Sequence, residues 1–263
     1  SIAVGKGAGE RVLADRFDWG LAAGERCAVL GRNGSGKSSL LLTLAGLRAP
    51  RAGEVQLGGR LLASLPRRER ARRLGMLLQD GDADFWGSTL DYVLLGRYPQ
   101  SGGTLAASAD DRARGRALLA ELDLDAHSGQ PYRTLSGGER QRARLAQLFA
   151  QDAEVLLLDE PLAHLDLKHQ LVAMEAVSRR AAQGVAVVMA LHEPQWAARY
   201  CDTAVLMYDF RRISPGPALS MLTQENLEQL YDCRLEAVAP PASATADAPE
   251  NAAGSRLFIP RLR

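Results

Sequence analysis

Apolar residues in this chain fall in short unbroken runs that end in glycine-bearing or acidic turns. These runs alternate with stretches of helical spacing. Glu25 to Leu30, Leu74 to Leu78, Val155 to Leu158 and Val185 to Ala190 are such runs, and each is predicted to be a buried strand. Ala204 to Met207 and Arg211 to Ile213 are further strand-like pieces, and Phe17 and Trp19 also read as strand residues. Glu54 to Leu57 and Leu61-Leu62 flank Gly58-Gly59, a hairpin signal. Helices are predicted over Ser39 to Leu47, stopped near Gly46 ahead of Pro50, and over Leu167 to Gln183. From Asp80 to about Gln151 the spacing is mostly helical, with loop chemistry at Ser101-Gly102-Gly103. Strands alternating with helices predict an α/β fold with a mostly parallel sheet. Ala237 to Ser255 is rich in Ala and Pro and reads as a connector. Leu257-Phe258-Ile259 after it is apolar enough to return as an edge strand.

Composition narrows the function classes. With 263 residues, 46% of them hydrophobic, the chain can build one substantial core, or one core with a smaller lobe. A net charge of +1, from 32 basic and 31 acidic residues, gives no overall pull toward nucleic acid or anionic lipid. No nucleic-acid partner is therefore expected. No apolar run approaches the roughly 20 residues of a membrane span, and no secretory leader is visible. Cys27, Cys201 and Cys233 are few, odd in number and widely spaced, as expected of packed thiols in a reducing compartment.

The chemistry sits at three places. Gly31-Arg32-Asn33-Gly34-Ser35-Gly36-Lys37-Ser38 fits G-x-x-x-x-G-K-[ST], between an apolar strand and an amphipathic helix. The glycines let backbone N–H groups turn toward phosphate oxygens, and the following helix adds its positive end. Gly31, Asn33, Gly34, Ser35, Gly36, Lys37, Ser38 and Ser39 are the expected nucleotide-binding residues. Lys37 is expected on the β- and γ-phosphates and the Ser38 hydroxyl on Mg²⁺. Asp159-Glu160 ends a buried strand, where ligands bind in an open α/β sheet. Asp159 is placed for the metal shell and Glu160 to orient and deprotonate a water. The third place is Leu135-Ser136-Gly137-Gly138-Glu139-Arg140-Gln141-Arg142. A Ser and two glycines opening a helix make a second phosphate-facing surface. One molecule cannot easily fold both surfaces onto one phosphate, so two copies are implied.

Taken together, these residues resemble the ATP-binding cassette family, the ATPase subunits of ABC transporters, over about residues 10 to 235. Leu135 to Glu139 matches the family signature. Gln79, Asp166 and His192 fall in the order of its Q-loop glutamine, D-loop aspartate and switch histidine. The resemblance implies a P-loop NTPase core with an antiparallel β subdomain and a small helical subdomain. That places one ATPase domain over residues 1–236, with the helical part at about 80–151, and a connector and tail over 237–263. It also implies ATP and Mg²⁺ as ligands, with the metal held by Ser38, Gln79 and Asp159. Glu160, His192 and Gln79 become the catalytic set. Ser136, Gly137, Gly138 and Glu139 would serve a nucleotide bound by a second copy of the chain, and Asp166 would link the two sites. Further implied partners are integral membrane permease subunits, docked near the Q-loop and helical subdomain, and indirectly a substrate-binding protein outside the membrane. The protein itself would sit on the cytoplasmic face.

The chain departs from the family pattern in places. The D-loop reads Ala163-His164-Leu165-Asp166 where Ser-Ala-Leu-Asp is usual, and Glu193 replaces the usual Asp after the switch histidine. No aromatic stands at Val4, Gly5 or Lys6, where the family commonly stacks on adenine, so that contact has no candidate. Gly96-Arg97-Tyr98-Pro99, Ala197 to Asp202 and Leu230-Tyr231 resemble importer ATPases serving iron-siderophore, haem and cobalamin permeases. Phe85 and Trp86 are candidate permease anchors or lobe core. His127, His164 and His169 read as surface or helix residues. Asp80, Asp82 and Asp84 imitate a calcium loop, but Phe85 stands where its glycine belongs. Arg67 to Arg73 reads as a solvated helix face or, alternatively, a surface toward the permease or membrane. The alternatives to an importer subunit are a soluble ABC ATPase of DNA repair or translation, and a regulatory module that binds nucleotide without hydrolysing it. A chain of 263 residues leaves little room for the coiled coil or second cassette of the former.

Overall fold

The computed structural model describes residues 2–4, 11–14, 17–79, 85–101, 107–208, 212–238 and 257–261. In chain order these hold strands β1 (Ile2–Val4), β2 (Arg11–Ala14) and β3 (Arg26–Leu30), helix α1 (Lys37–Leu44), strands β4 (Gln56–Leu57) and β5 (Arg60–Leu61), helix α2 (Arg67–Arg73) and strand β6 (Leu74–Leu77). Helices α3 (Thr89–Leu94), α4 (Ala109–Glu121) and α5 (Gly137–Ala150) follow, then β7 (Val155–Asp159), α6 (Leu167–Ala182), β8 (Ala186–Ala190) and α7 (Pro194–Tyr200). The chain continues through β9 (Thr203–Met207), β10 (Ile213–Pro217), α8 (Ala218–Met221), α9 (Gln224–Tyr231), β11 (Arg234–Val238) and β12 (Leu257–Arg261).

Six strands form the central sheet in the order β10-β9-β3-β8-β7-β6. All neighbours run parallel except β10, which runs antiparallel to β9 at the edge. The bare apolar runs are explained by this position. Cys27, Val29, Leu157 and Val188 face a core built on α1, while Ala28, Leu30, Leu156, Leu158 and Val187 face the core of the helices on the other side. A strand buried on both faces has no polar alternation to display.

The helices between residues 88 and 150 start at sequence-encoded caps. Ser88 with Asp91, Ser108 with Asp111 and Ser136 with Glu139 each form a reciprocal capping box at the start of α3, α4 and α5. Each such cap stabilises its helix by about 1 kcal/mol. Arg142 ties α5 to α4, donating from Nη1 to the Leu122 and Asp123 carbonyls at 2.8 and 2.7 Å.

Several expectations need correction. Phe17 and Trp19 lie in irregular chain, not in strands. Their rings stack with centroids 6.0 Å apart and pack on the α1-side core, so apolar contact rather than a ladder holds them. The first helix starts at Lys37 and ends at Leu44, two residues before Gly46 turns the chain at φ 68°. Of the strand expected at Arg211 to Ile213, Arg211 lies outside the described residues and Ile213 opens a strand that runs on to Pro217, through two prolines that only an edge strand tolerates. Ala237 and Val238 are not connector: they close β11, and Val238 pairs with Leu257. The apolar tail returns as an edge strand, as expected: it is β12, paired with β11 in a two-stranded sheet. The rest of the Ala/Pro-rich stretch, Gly5, Lys6, Asp80, Asp82, Asp84 and Gly102-Gly103 lie outside the described residues.

Candidate nucleotide site

The strand order explains why distant residues meet. β3, β8, β7 and β6 are consecutive neighbours, and the phosphate loop, His192, the Asp159-Glu160 pair and Gln79 follow their four carboxyl ends. Register keeps them level: Ala190 pairs with both Val29 and Asp159, and Leu158 pairs with Leu77.

The phosphate loop wraps the start of α1. Gly34 and Gly36 hold φ of 77° and 103°, which a residue with a Cβ adopts only under strain. A Cβ at Gly31 would lie 2.6 Å from Ser35 Oγ and 2.7 Å from the Met207 carbonyl, so only glycine fits there. Lys37 is buried and donates from Nζ to the carbonyls of Gly31 at 2.9 Å and Arg32 at 3.3 Å. Burial lowers the pKa of this ammonium, against the attraction of Glu160 and Asp159.

Asp159 is 3% exposed at the end of β7, and its Oδ1 has no hydrogen-bond partner. Burial pushes its pKa up; the Ser38 hydroxyl and Lys37 oppose the shift, and Glu160 adds to it. Glu160 sits at φ 52°, a left-handed conformation that costs a non-glycine residue about 1 kcal/mol or more. Its N–H donates to the Ala190 carbonyl at 3.2 Å, which fixes the turn. Its carboxylate is gripped from both sides: His192 Nε2 lies 2.6 Å from Oε1, and Gln79 Nε2 donates to Oε2 at 3.1 Å.

A buried carboxylate oxygen with no partner, beside a serine hydroxyl, is a hard oxygen set of the kind Mg²⁺ takes with substrate phosphates. Ser38 and Asp159 therefore fit that ion. Gln79 turns its amide nitrogen to Glu160, which leaves its oxygen as the atom able to face a cation.

The signature and D-loop residues stand apart from this cluster. Among the described residues, no hydrogen bond or ion pair joins Ser136, Gly137, Gly138 or Asp166 to the phosphate loop. Ser136 accepts from Glu139 N–H at 3.3 Å, and Glu139 Oε2 accepts from Ser136 N–H at 2.7 Å. That N–H holds the Glu139 carboxyl below the usual range. Gly138 lies close against the D-loop of its own chain, where an added Cβ would meet the His164 carbonyl at 3.0 Å. Asp166 caps α6, accepting from His169 N–H at 2.9 Å, with His169 Nδ1 also 2.9 Å away. His127, read as a surface residue, lies 3.4 Å from Glu139.

Two residues outside the expected site set join these pieces. Gln141 is buried and donates to the carbonyls of Glu160 and Pro161 at 3.3 and 3.0 Å. Arg144 donates to Gln141 Oε1 at 3.0 Å and to the Leu78 and Gln79 carbonyls. Their sequence signal is faint: Gln141 is a polar residue on the buried side of α5, and Arg144 is a half-buried one three positions on. Of the two aromatic candidates, Phe85 turns inward against Tyr92 and Tyr132, while Trp86 stays 79% exposed with Arg133 over its ring at 4.5 Å.

Known proteins resemble this chain in sequence and fold. The profile of the ABC transporter family matches residues 14–163, more than half of the chain. A relative from Nocardia farcinica (strain IFM 10152), described as hemin import ATP-binding protein HmuV, is 38% identical over 97% of this chain and 84% of its own. One from Halobacterium salinarum (strain ATCC 29341), described as cobalamin import ATP-binding protein BtuD, is 37% identical over 90% of this chain and 59% of its own. Among solved structures, a metal-chelate type ABC transporter in an inward-facing conformation superposes with a TM-score of 0.76. It is 26% identical, over 94% of this chain and 90% of that one. The chain belongs to the ABC transporter family, among its ATP-hydrolysing subunits.

Proposed function

We propose that this chain powers an importer of metal chelates, in the class of iron-siderophore, haem and cobalamin, as a dimer that shares its ATP sites. The observation that carries the hydrolytic part is the Glu160 carboxylate, held by His192 and Gln79 at one end of the sheet that also bears Lys37. The relatives named for hemin and cobalamin import support the substrate class.

In this reading the loop N–H groups and Lys37 bind the β- and γ-phosphates, and Lys37 exchanges its two loop carbonyls for phosphate oxygens. Glu160 accepts a proton from the attacking water, while His192 fixes the carboxylate and Gln79 holds its second oxygen. Ser38, Gln79 and Asp159 would hold Mg²⁺, which would supply positive charge against the phosphates. Ser136, Gly137, Gly138 and Glu139 of a second copy close over the γ-phosphate, and Asp166 lies along that contact. Residues 1–236 act as the ATPase unit, with the lobe at about 80–151 meeting the permease. Trp86 is the anchor on that lobe, being large, apolar and exposed. No described helix is long and apolar enough to cross a membrane, which suits attachment at the cytoplasmic face through the permease. A substrate-binding protein on the far side delivers the cargo, which never touches this chain.

The test is Glu160→Gln with radiolabelled ATP. The variant is expected to bind ATP, to dimerise in its presence on size-exclusion chromatography, and to turn over at least about 100-fold more slowly. Turnover near wild type would overturn the assignment of the base.

A further inference from the structure

We infer that Tyr231 is a positioning residue of the hydrolysis site and acts through the main chain of His192. Resting on the proposed role of His192, the inference extends the site to α9, the last described helix, which holds none of the expected site residues.

Helix α9 is fixed before it reaches the site. Thr223 caps its start, accepting from Asn226 N–H at 3.2 Å, and Leu227 and Leu230 are 0% and 2% exposed. Tyr231 is its last residue, with its ring against the main core, and Asp232 then turns the chain at φ 53°. From there the Tyr231 hydroxyl donates to the His192 carbonyl at 3.1 Å.

Among the described residues, the turn that carries His192 is otherwise held on either side of it. Leu191 N–H donates to the Val29 carbonyl at 3.1 Å, and Glu193 accepts from Trp196 Nε1 at 3.0 Å. The imidazole itself is 45% exposed, so packing does not set its direction. Its aim toward Glu160 depends on the peptide that bears it, and the Tyr231 bond fixes the carbonyl of that residue. Small misplacements at a reacting centre are costly, and supporting hydrogen bonds are what prevent them. The next residue adds a second touch: Asp232 lies 3.9 Å from Arg32 in the phosphate loop. One helix end therefore contacts both the switch turn and the phosphate loop.

The experiment is a double-mutant cycle of Tyr231→Phe with His192→Ala, read by steady-state ATP hydrolysis, ATP affinity and thermal melting of the full chain. Phenylalanine keeps the packed ring and removes only the hydroxyl. Tyr231→Phe is expected to lower kcat about five-fold with ATP affinity unchanged, and to lower Tm by no more than the roughly 2–4 °C that one lost hydrogen bond costs. In the His192→Ala background the same substitution is expected to have no further effect. Wild-type kcat in Tyr231→Phe would overturn the inference. So would an equal loss in the His192→Ala background, or a loss accompanied by a larger drop in Tm and weaker ATP binding, which would make the role merely structural. A wild-type rate for His192→Ala alone would instead sink the assignment of His192.

Discussion

His192 Nε2 stands 2.6 Å from Glu160 Oε1, although the two residues follow different strands. Strands β7 and β8 are sheet neighbours in a register that pairs Asp159 with Ala190, so the contact is built by the fold rather than by local sequence. Gln79 holds the other carboxylate oxygen from the end of β6. If this grip positions the base, His192→Ala should lower kcat about 100-fold while KM for ATP moves less than about three-fold. Gln79→Ala should cost less, on the order of ten-fold, because it leaves the shorter contact intact. A coupled-enzyme ATPase assay reads both. A large rise in KM at unchanged kcat would place these residues in binding rather than in hydrolysis.

Much of this was readable in the sequence because the signals are local. Gly31 to Ser38 must form a particular turn, Asp159-Glu160 ends a bare apolar run, and Ser136 with Glu139 is a helix start at fixed spacing. What the sequence hides is long-range. Nothing near Tyr231 announces a bond to a carbonyl 39 residues away, and nothing near Arg144 announces the Leu78 and Gln79 carbonyls. Phe17 and Trp19 misled for a related reason. Large apolar side chains suit a strand or a packed loop equally, and only the core beneath them decides. Ala237 and Val238 were hidden by the Ala/Pro-rich run they border, because their partner, Leu257-Phe258, is distant in sequence.

The buried Asp159 carboxyl gives a prediction with a definite sign. Its pKa in the fold is raised, chiefly by burial, above the ordinary value of 3.8. A raised value means that its contribution to stability is fully present only below the unfolded pKa and is lost as pH rises through the folded one. At neutral pH the charged, half-unpartnered carboxylate therefore weakens the nucleotide-free protein. Asp159→Asn should raise its Tm at pH 7, each kcal/mol of relief giving about 2–4 °C. The gain should shrink as pH falls toward the ordinary carboxylate range, and ATP with Mg²⁺ should stabilise the variant less than the wild type. Scanning fluorimetry across pH measures all three. A lower Tm at pH 7, or a gain that grows in acid, would contradict the burial argument.

The two signature glycines should respond in opposite ways. Gly137 is the first residue of α5, and a Cβ there meets nothing closer than His164 Cβ at 3.8 Å. Alanine is favoured over glycine in a helix by about 0.5–1 kcal/mol, so Gly137→Ala should raise Tm slightly. A Cβ at Gly138 would meet the His164 carbonyl at 3.0 Å, and His164 already sits at φ 63° with little freedom to yield. Gly138→Ala should lower Tm and loosen the D-loop, seen as faster amide exchange at Leu165 and Asp166. If the surface also serves a partner's nucleotide, Gly137→Ala should lose hydrolysis while gaining stability. Retained hydrolysis in that variant would mean that Gly137 faces no phosphate.

The separation of Ser136 from Lys37 within one chain leads to the most direct test of shared sites. Ser136 is committed to its capping box with Glu139, and no described contact brings it to the phosphate loop. Its hydroxyl can act only on a nucleotide held elsewhere if it acts on one at all. Ser136→Arg puts a long cation on that surface and leaves Lys37, Asp159 and Glu160 untouched. Mixed dimers should be made from one Ser136→Arg copy and one Lys37→Ala copy, purified on two tags. In a shared-site dimer both lesions fall on the same site, so the other site stays whole and about half of wild-type turnover survives. If each chain hydrolysed ATP on its own, the Ser136→Arg copy would keep its rate in homodimers as well. Homodimers of Ser136→Arg with full activity, or mixed dimers with none, would rule out the shared arrangement.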